Sequence, residues 1–224
     1  MSLTIKCVDL FCGCGGMSLG FEASGFNIVA GIDNWKAAIR VYEKNFDHPI
    51  IEKDLMDVEG AAELIAGYTP GLIIGGPPCQ DFSTAGFQDE SRGRAILSIC
   101  YFQIVSLVRP KYFVMENVAT IRNTKSFQSA IANFRAAGYG LTQMVLDAAY
   151  CGVPQTRKRM FVVGALGASD GFLDEELKCN LAQKPMSIHD YLGDSLGIDY
   201  YFRVPTNYNR RGVFSVHEPS MTPP

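Results

Sequence analysis

An α/β protein built on a doubly wound, mostly parallel sheet is predicted by three observations. Short apolar runs alternate with helix-length amphipathic segments through about residue 165, one early run ends in a glycine-rich loop, and another ends in Gly75-Gly76-Pro77-Pro78. The first strand, 5–11, holds Lys6 to Phe11 and feeds Gly13, Cys14, Gly15 and Gly16, after which a helix is predicted over 17–24. The next strand, 27–32, stops at Asp33. Helices follow over 35–45 and 59–66, then a strand over 71–75 carrying Leu72, Ile73 and Ile74. A helix over 94–108, a strand over 111–116 and a helix over 125–136 continue the alternation. Strands over 140–148 and 159–165 flank residues 150–156 and form an antiparallel hairpin at the sheet edge. From Gly167 the pattern weakens to scattered Gly and Pro, a short helix Ile188–Leu192 and a polar stretch over 208–224.

Composition narrows the functions available. With 224 residues, 47% of them hydrophobic and 19% charged, the chain suffices for one sizeable core. Seven cysteines without regular spacing argue for a reducing compartment rather than a disulfide framework. No apolar run reaches membrane-spanning length and the first residues lack the pattern of a signal peptide, so a cytoplasmic protein is expected. A net charge of −3 excludes a surface that grips nucleic acid all over. Basic residues are local instead, in Arg157-Lys158-Arg159 and in Arg203, Arg210 and Arg211, the second cluster reading equally as a nucleic-acid contact or a solvated face.

Two segments carry chemistry. Cys79 follows a strand and two prolines, each of which fixes its own φ and biases its predecessor away from helix, so the thiol is aimed and becomes a candidate nucleophile. Asp33 lies about 20 residues beyond Gly13, the offset at which an acidic side chain meets a ribose hydroxyl in nucleotide-binding βαβ units. The glycines admit close approach of a ligand, and free amides at the helix start favour a carboxylate or phosphate. A dehydrogenase using NAD or FAD could be built on that loop alone, but would leave Cys79 and Glu116 without a role.

Six blocks, in order, resemble the DNA (cytosine-5) methyltransferase family. They are Asp9-Leu10-Phe11-Cys12-Gly13-Cys14-Gly15-Gly16; Asp33; Gly76-Pro77-Pro78-Cys79-Gln80 with Phe82-Ser83; Glu116-Asn117-Val118; Tyr150-Cys151-Gly152-Val153-Pro154; and Gln155-Thr156-Arg157-Lys158-Arg159. The resemblance implies a Rossmann-like fold, S-adenosylmethionine as cofactor and methylation of a cytosine rotated out of duplex DNA. It assigns Cys79 to attack at carbon 6 and Glu116, a sheltered carboxyl at a strand end, to protonate ring nitrogen 3. Arg157 and Arg159 supply positive charge near a thiol whose ordinary pKa is about 8.5. Asn117 orients its loop, and Gln80 and Ser83 lie against the displaced strand.

Around the cofactor, the resemblance puts Phe11, Gly13, Cys14, Gly15 and Gly16 by the methionine half and Asp33 on the ribose. Asp54 accepts from the adenine amino group, with Leu55, Pro78 and Leu97 also lining the site. Asn34 stands where the family often has an aromatic residue, and Trp35 comes one place later. Cys12 and Cys14 replace commoner small residues; with no further convergent ligands, no metal is expected.

The resemblance implies the modifying half of a bacterial restriction system, the alternative being the same chemistry on transfer RNA. The expected domains are a catalytic, cofactor-binding domain over 1–166 and an irregular bridge over 167–224. Family members continue into a target recognition region, so the chain is expected to be a catalytic fragment or one subunit of a split enzyme whose second polypeptide supplies it.

Overall fold

The computed structural model describes residues 5–78, 96–203 and 212–221. In chain order the elements are β1 (Lys6–Leu10), α1 (Gly16–Ala23), β2 (Asn27–Asp33), α2 (Lys36–Tyr42), β3 (Ile50–Glu52), α3 (Val58–Ala66) and β4 (Leu72–Gly75). Then come α4 (Ile96–Val108), β5 (Tyr112–Val118), α5 (Lys125–Ala136), β6 (Tyr139–Asp147), β7 (Gln155–Thr156) and β8 (Lys158–Leu166). The last are α6 (Asp174–Cys179), α7 (Ile188–Leu192), β9 (Tyr200–Arg203), β10 (Gly212–Ser215) and β11 (Ser220–Met221).

Seven strands form one sheet in the order β3-β2-β1-β4-β5-β8-β6. β1 pairs in parallel with both β2 and β4, β2 with β3, and β4 with β5. β8 runs against β6, since the Ala148 amide donates to the Arg157 carbonyl at one end and the Gly167 amide to the Gly138 carbonyl at the other. The strand order reverses between β1 and β4, where Leu10 lies opposite Gly75. In an open α/β sheet the crevice beyond the carboxyl ends of such a pair is where ligands bind.

Both faces of the sheet are covered, because side chains alternate along each strand. Cys7, Ile28, Leu72, Ile74 and Val114 face Met17 and Phe21 of α1. Phe113, one residue before Val114, turns the other way and stacks on Phe134 of α5 with ring centroids 4.2 Å apart. Such burial is the main stabilising contribution, roughly 1.5–3 kcal/mol for each large apolar side chain. Among the described residues, no helix is long and apolar enough to cross a membrane.

The chain divides into two compact units, residues 1–143 with 160–172 and residues 144–159 with 173–224. The boundary expected at 166/167 thus falls at 172/173, and the tip of the hairpin belongs to the second unit. The reason lies in residues 167–172, which fold back onto the sheet edge. Asp170 accepts from the Leu141 amide at 2.9 Å and pairs with Arg135 at 2.8 Å, and the Gly171 amide donates to the Leu141 carbonyl. Gly140 admits this fold-back, since a Cβ there would lie 2.3 Å from the Ala168 carbonyl oxygen.

Some elements depart from expectation. β3 escapes sequence detection because three residues show no alternation. β5 runs two residues past the expected end, so Asn117 and Val118 lie within the strand instead of after it. The expected bridge holds α6, the β9–β10 antiparallel pair and the β11 strand, which pairs in parallel with β7. Within that second unit, α7 does form at Ile188–Leu192, closed by a capping box in which the Ser187 hydroxyl accepts from the Asp190 amide and Asp190 accepts from Ser187.

Candidate active site and cofactor pocket

At the carboxyl ends of β1, β2, β3 and β4 lies an open cavity of about 330 Å³. Phe11 and Asp33 enter it from the ends of β1 and β2, with Asn34 and Trp35 following; Lys53, Asp54 and Leu55 come from the end of β3. Gly76 and Pro78 enter after β4, and Leu97 from the start of α4. One crevice therefore gathers Phe11, Asp33, Asn34, Trp35, Asp54, Leu55, Pro78 and Leu97, all anticipated from sequence. Lys53 and Gly76 were not anticipated there; an ion pair between Lys53 and Asp57 helps fix the turn that opens α3. That ammonium, with the Gly60 amide, holds the Asp57 carboxyl below the usual range.

Asp33 organises the pocket through its two oxygens. Oδ2 accepts from the Gly13 amide at 2.8 Å and Oδ1 from the Trp35 amide at 2.8 Å. A carboxylate has about four acceptor positions, so both oxygens retain capacity for a ligand hydroxyl. The Trp35 ring is 65% exposed, leaving a free aromatic surface on the wall. Asp54 is likewise exposed, its Oδ1 accepting from the Met56 amide at 3.0 Å.

Gly13, Cys14, Gly15 and Gly16 stand behind the residues that line this cavity, Gly13 through its amide on Asp33. Their backbone is spent on building it. Phe11 adopts φ 56°, a conformation uncommon outside glycine, and turns the chain out of β1. Gly15 has φ +93°, and a Cβ on it would lie 2.1 Å from Cε2 of Phe46. Its glycine is demanded by packing as much as by any ligand.

Glu116 does not line this cavity but stands beside Gly76, which does: it is half-buried and its Oε2 lies 3.3 Å from where a Cβ on Gly76 would be. Asn117 is buried and donates to the Pro77 carbonyl at 3.1 Å, while its own Oδ1 accepts from the Val118 amide at 2.8 Å. Its side chain thus ties the end of β5 to the diprolyl turn and is directed at backbone. Cys79, Gln80 and Ser83 lie outside the described residues, as do Arg210, Arg211 and the side chain of Arg203. Pro78 is the last described residue before Cys79.

In the second unit, the Arg157 amide donates to Asp147 Oδ1 at 3.0 Å and its side chain is exposed; Arg159 is half-buried and donates to the Lys158 carbonyl at 2.8 Å. Cys151 is also exposed, and burial together with Asp147 raises its thiol pKa, an environment that disfavours a thiolate.

Comparison with known proteins gives the family directly. The model of C-5 cytosine-specific DNA methylases matches residues 5–213. The chain belongs to this family. It is 53% identical over 218 residues to the type II methyltransferase M.HindV of Haemophilus influenzae, covering 97% of this chain and 72% of that protein. It is 51% identical over 218 residues to the type II methyltransferase M.HgiDI of Herpetosiphon aurantiacus, covering 97% and 71%. The solved structure of the S. pombe Dnmt2 methyltransferase superposes with a TM-score of 0.69 at 22% identity, over 84% of this chain and 60% of that one. At that identity the likeness shows the fold: a sheet of the methyltransferase type. Membership of the cytosine-5 methylase family thus accounts for the order of the blocks.

Proposed function

We propose that the chain is the catalytic part of a DNA (cytosine-5) methyltransferase of a restriction-modification system, with S-adenosylmethionine as methyl donor and duplex DNA as substrate. The observation that carries this is the single crevice shared by Asp33, Trp35 and Asp54 on one wall and by Gly76 and Pro78, the approach to Cys79, on the other. A nucleoside end and a nucleophile end then meet in one place. The pocket fits the cofactor: a carboxylate with spare acceptor capacity suits a ribose, an exposed indole suits an adenine face, and Phe11 and Leu97 are apolar. When bound, S-adenosylmethionine supplies the electrophilic methyl group.

The chain's own residues supply the rest. The Cys79 thiolate adds to carbon 6 of the rotated-out cytosine, because carbon 5 becomes nucleophilic only once electrons are pushed into the ring. Glu116 gives a proton to ring nitrogen 3 as that charge builds. Asn117 holds the Pro77 carbonyl and thereby the diprolyl turn that presents the sulfur. Arg157 and Arg159 contribute positive charge toward the DNA backbone. Sequence recognition is assigned to further polypeptide, since the two type II relatives are longer than the region matched here.

Incubation with a duplex containing 5-fluorocytosine and cofactor tests the reading. A covalent complex that resists denaturation is expected, because fluorine cannot leave as a proton does; its absence under conditions that bind the duplex would refute the proposal. Methyl incorporation into DNA and not into transfer RNA separates the two substrate readings.

A second expectation concerns Asp33→Asn. An amide presents an NH₂ to one of two backbone N–H donors, so either Gly13 or Trp35 loses its acceptor. Each charge-assisted hydrogen bond is worth about 1.5–3 kcal/mol, so cofactor affinity measured by calorimetry should fall by roughly 10- to 100-fold. Unchanged affinity would remove Asp33 from the cofactor site.

A further inference from the structure

Behind the glycine loop, side chains from β1, α1, α2 and the segment after α2 form one unbroken line of hydrogen bonds. The Ser18 hydroxyl donates to Asp9 Oδ2 at 2.7 Å, and the same Oγ lies 2.7 Å from the Tyr42 hydroxyl. That hydroxyl is 2.6 Å from His48 Nε2, and His48 Nδ1 is 2.9 Å from Glu22 Oε1. Asp9, Ser18 and Tyr42 have no exposed surface, whereas the Glu22 side chain is 37% exposed, so the line runs from the interior to solvent.

Counting donors shows what holds it together. If Asp9 is ionised, Ser18 spends its one proton on Asp9 and must accept from Tyr42, which must then accept from His48 Nε2. Glu22 as a carboxylate only accepts, so Nδ1 carries a proton too, and His48 is an imidazolium. If Asp9 is instead protonated on Oδ2, every hydroxyl reverses, Tyr42 donates to Nε2, and a neutral His48 keeps its proton on Nδ1. The two arrangements hold the same number of protons and the same net charge. They interconvert when Nε2 gives its proton to Tyr42, Tyr42 gives its own to Ser18, and Ser18 gives its own to Asp9. Remove that one proton altogether and one link in the line has no hydrogen.

We propose that Asp9 and His48 share a single proton along this line, and that the shared proton ties the head of α1 and the glycine loop to α2 in the arrangement that binds cofactor. Asp9 is a positioning residue here. Gly15, the N-cap of α1, offers no side chain to the helix, and Asp9 stands below its first turn, where its Oδ2 accepts from the Ser18 hydroxyl. The same Gly15 packs against Phe46 and Tyr42, so the line and the loop are mechanically one unit.

Burial, with the negative charge of Asp33 as a smaller contribution, pushes the Asp9 carboxyl up to about 7 against the lowering pull of Ser18. The other groups facing Asp9 are Cys7 of β1, Cys12 of the loop and Tyr101 of α4, whose pKa values burial raises, so all three remain neutral at physiological pH. Tyr42 is raised for the same reason and acts only as a carrier.

The binding consequence rests on the cofactor reading above, whereas the proton sharing does not. The chain has three histidines, so each imidazole can be followed by NMR. In the unaltered protein the His48 midpoint should coincide with a shift of the Gly13, Gly15 and Gly16 amides, and affinity for S-adenosylhomocysteine should weaken severalfold as pH rises through it. Asp9→Asn removes both the second proton site and a negative charge, so the His48 midpoint should fall by about half a pH unit or more, because coupled sites titrate as a pair. Tyr42→Phe cuts the line while keeping the ring, and serves where Asp9→Asn does not fold: the His48 midpoint should fall and the glycine amides should cease to follow it. A His48 midpoint unmoved in the variants, or glycine amides indifferent to it in the unaltered protein, overturns the proposal. Intact coupling without any binding of S-adenosylhomocysteine would instead leave the line standing and defeat the cofactor assignment.

Discussion

Cys79→Ser is expected to abolish methyl transfer, by about a thousandfold or more, while leaving cofactor affinity within error of the unaltered protein. The two atoms differ little in size, so the turn prepared by Pro77 and Pro78 can present either. They differ in acidity. A thiol near pKa ~8.5 yields a useful fraction of thiolate at neutral pH, and a hydroxyl yields essentially none without a base beside it. Methylation would stop because carbon 5 is never activated, not because the donor fails to bind. The crevice proposed for the cofactor is lined by Phe11, Asp33, Trp35 and Asp54, which the substitution leaves unaltered. The check is a paired measurement: turnover on a duplex substrate, and calorimetric titration with S-adenosylhomocysteine. A serine variant retaining a comparable rate would transfer the covalent role elsewhere, and loss of both quantities would point to a folding defect.

Much of this crevice was legible because doubly wound sheets put ligands at strand ends. Phe11, Asp33 and Pro78 each follow an apolar run that the eye finds without a structure, and the strand-then-glycine and strand-then-proline junctions mark where chemistry sits. What was not legible depends on contacts distant in sequence. Lys53 reaches the pocket at the end of a three-residue strand, too short to show a period. The need for glycine at position 15 comes from Phe46, about 30 residues away in the chain, and no local pattern reveals that a Cβ would meet its ring. Asn117 looked like a loop residue because β5 was expected to stop at 116, whereas the strand continues and turns the amide into the interior. The fold-back of residues 167–172 onto the sheet edge has no periodicity either; it is held by one aspartate and by backbone amides.

Glu116→Gln carries the other large effect, a loss in kcat of about 10²- to 10⁴-fold with little change in the affinity for cofactor or DNA. The substitution preserves shape and one acceptor oxygen, so the packing beside Gly76 is retained. What it removes is an acidic proton. An amide can donate a hydrogen bond to ring nitrogen 3 but cannot release its proton as negative charge accumulates, so the penalty falls on the transition state and not on the bound ground state. Trapping by a 5-fluorocytosine duplex should slow in parallel with turnover, since adduct formation precedes methyl transfer. If trapping kept its full rate while turnover fell, the carboxyl would belong to a later step, release of the adduct, and the proton for ring nitrogen 3 would need another donor. The position of Glu116 favours the earlier step: it lies within β5, next to the residue whose side chain holds the Pro77 carbonyl. Glu116 thus sits on β5, which pairs with β4, and the end of β4 at Gly75 leads directly into Gly76 and the Pro77 whose carbonyl Asn117 holds.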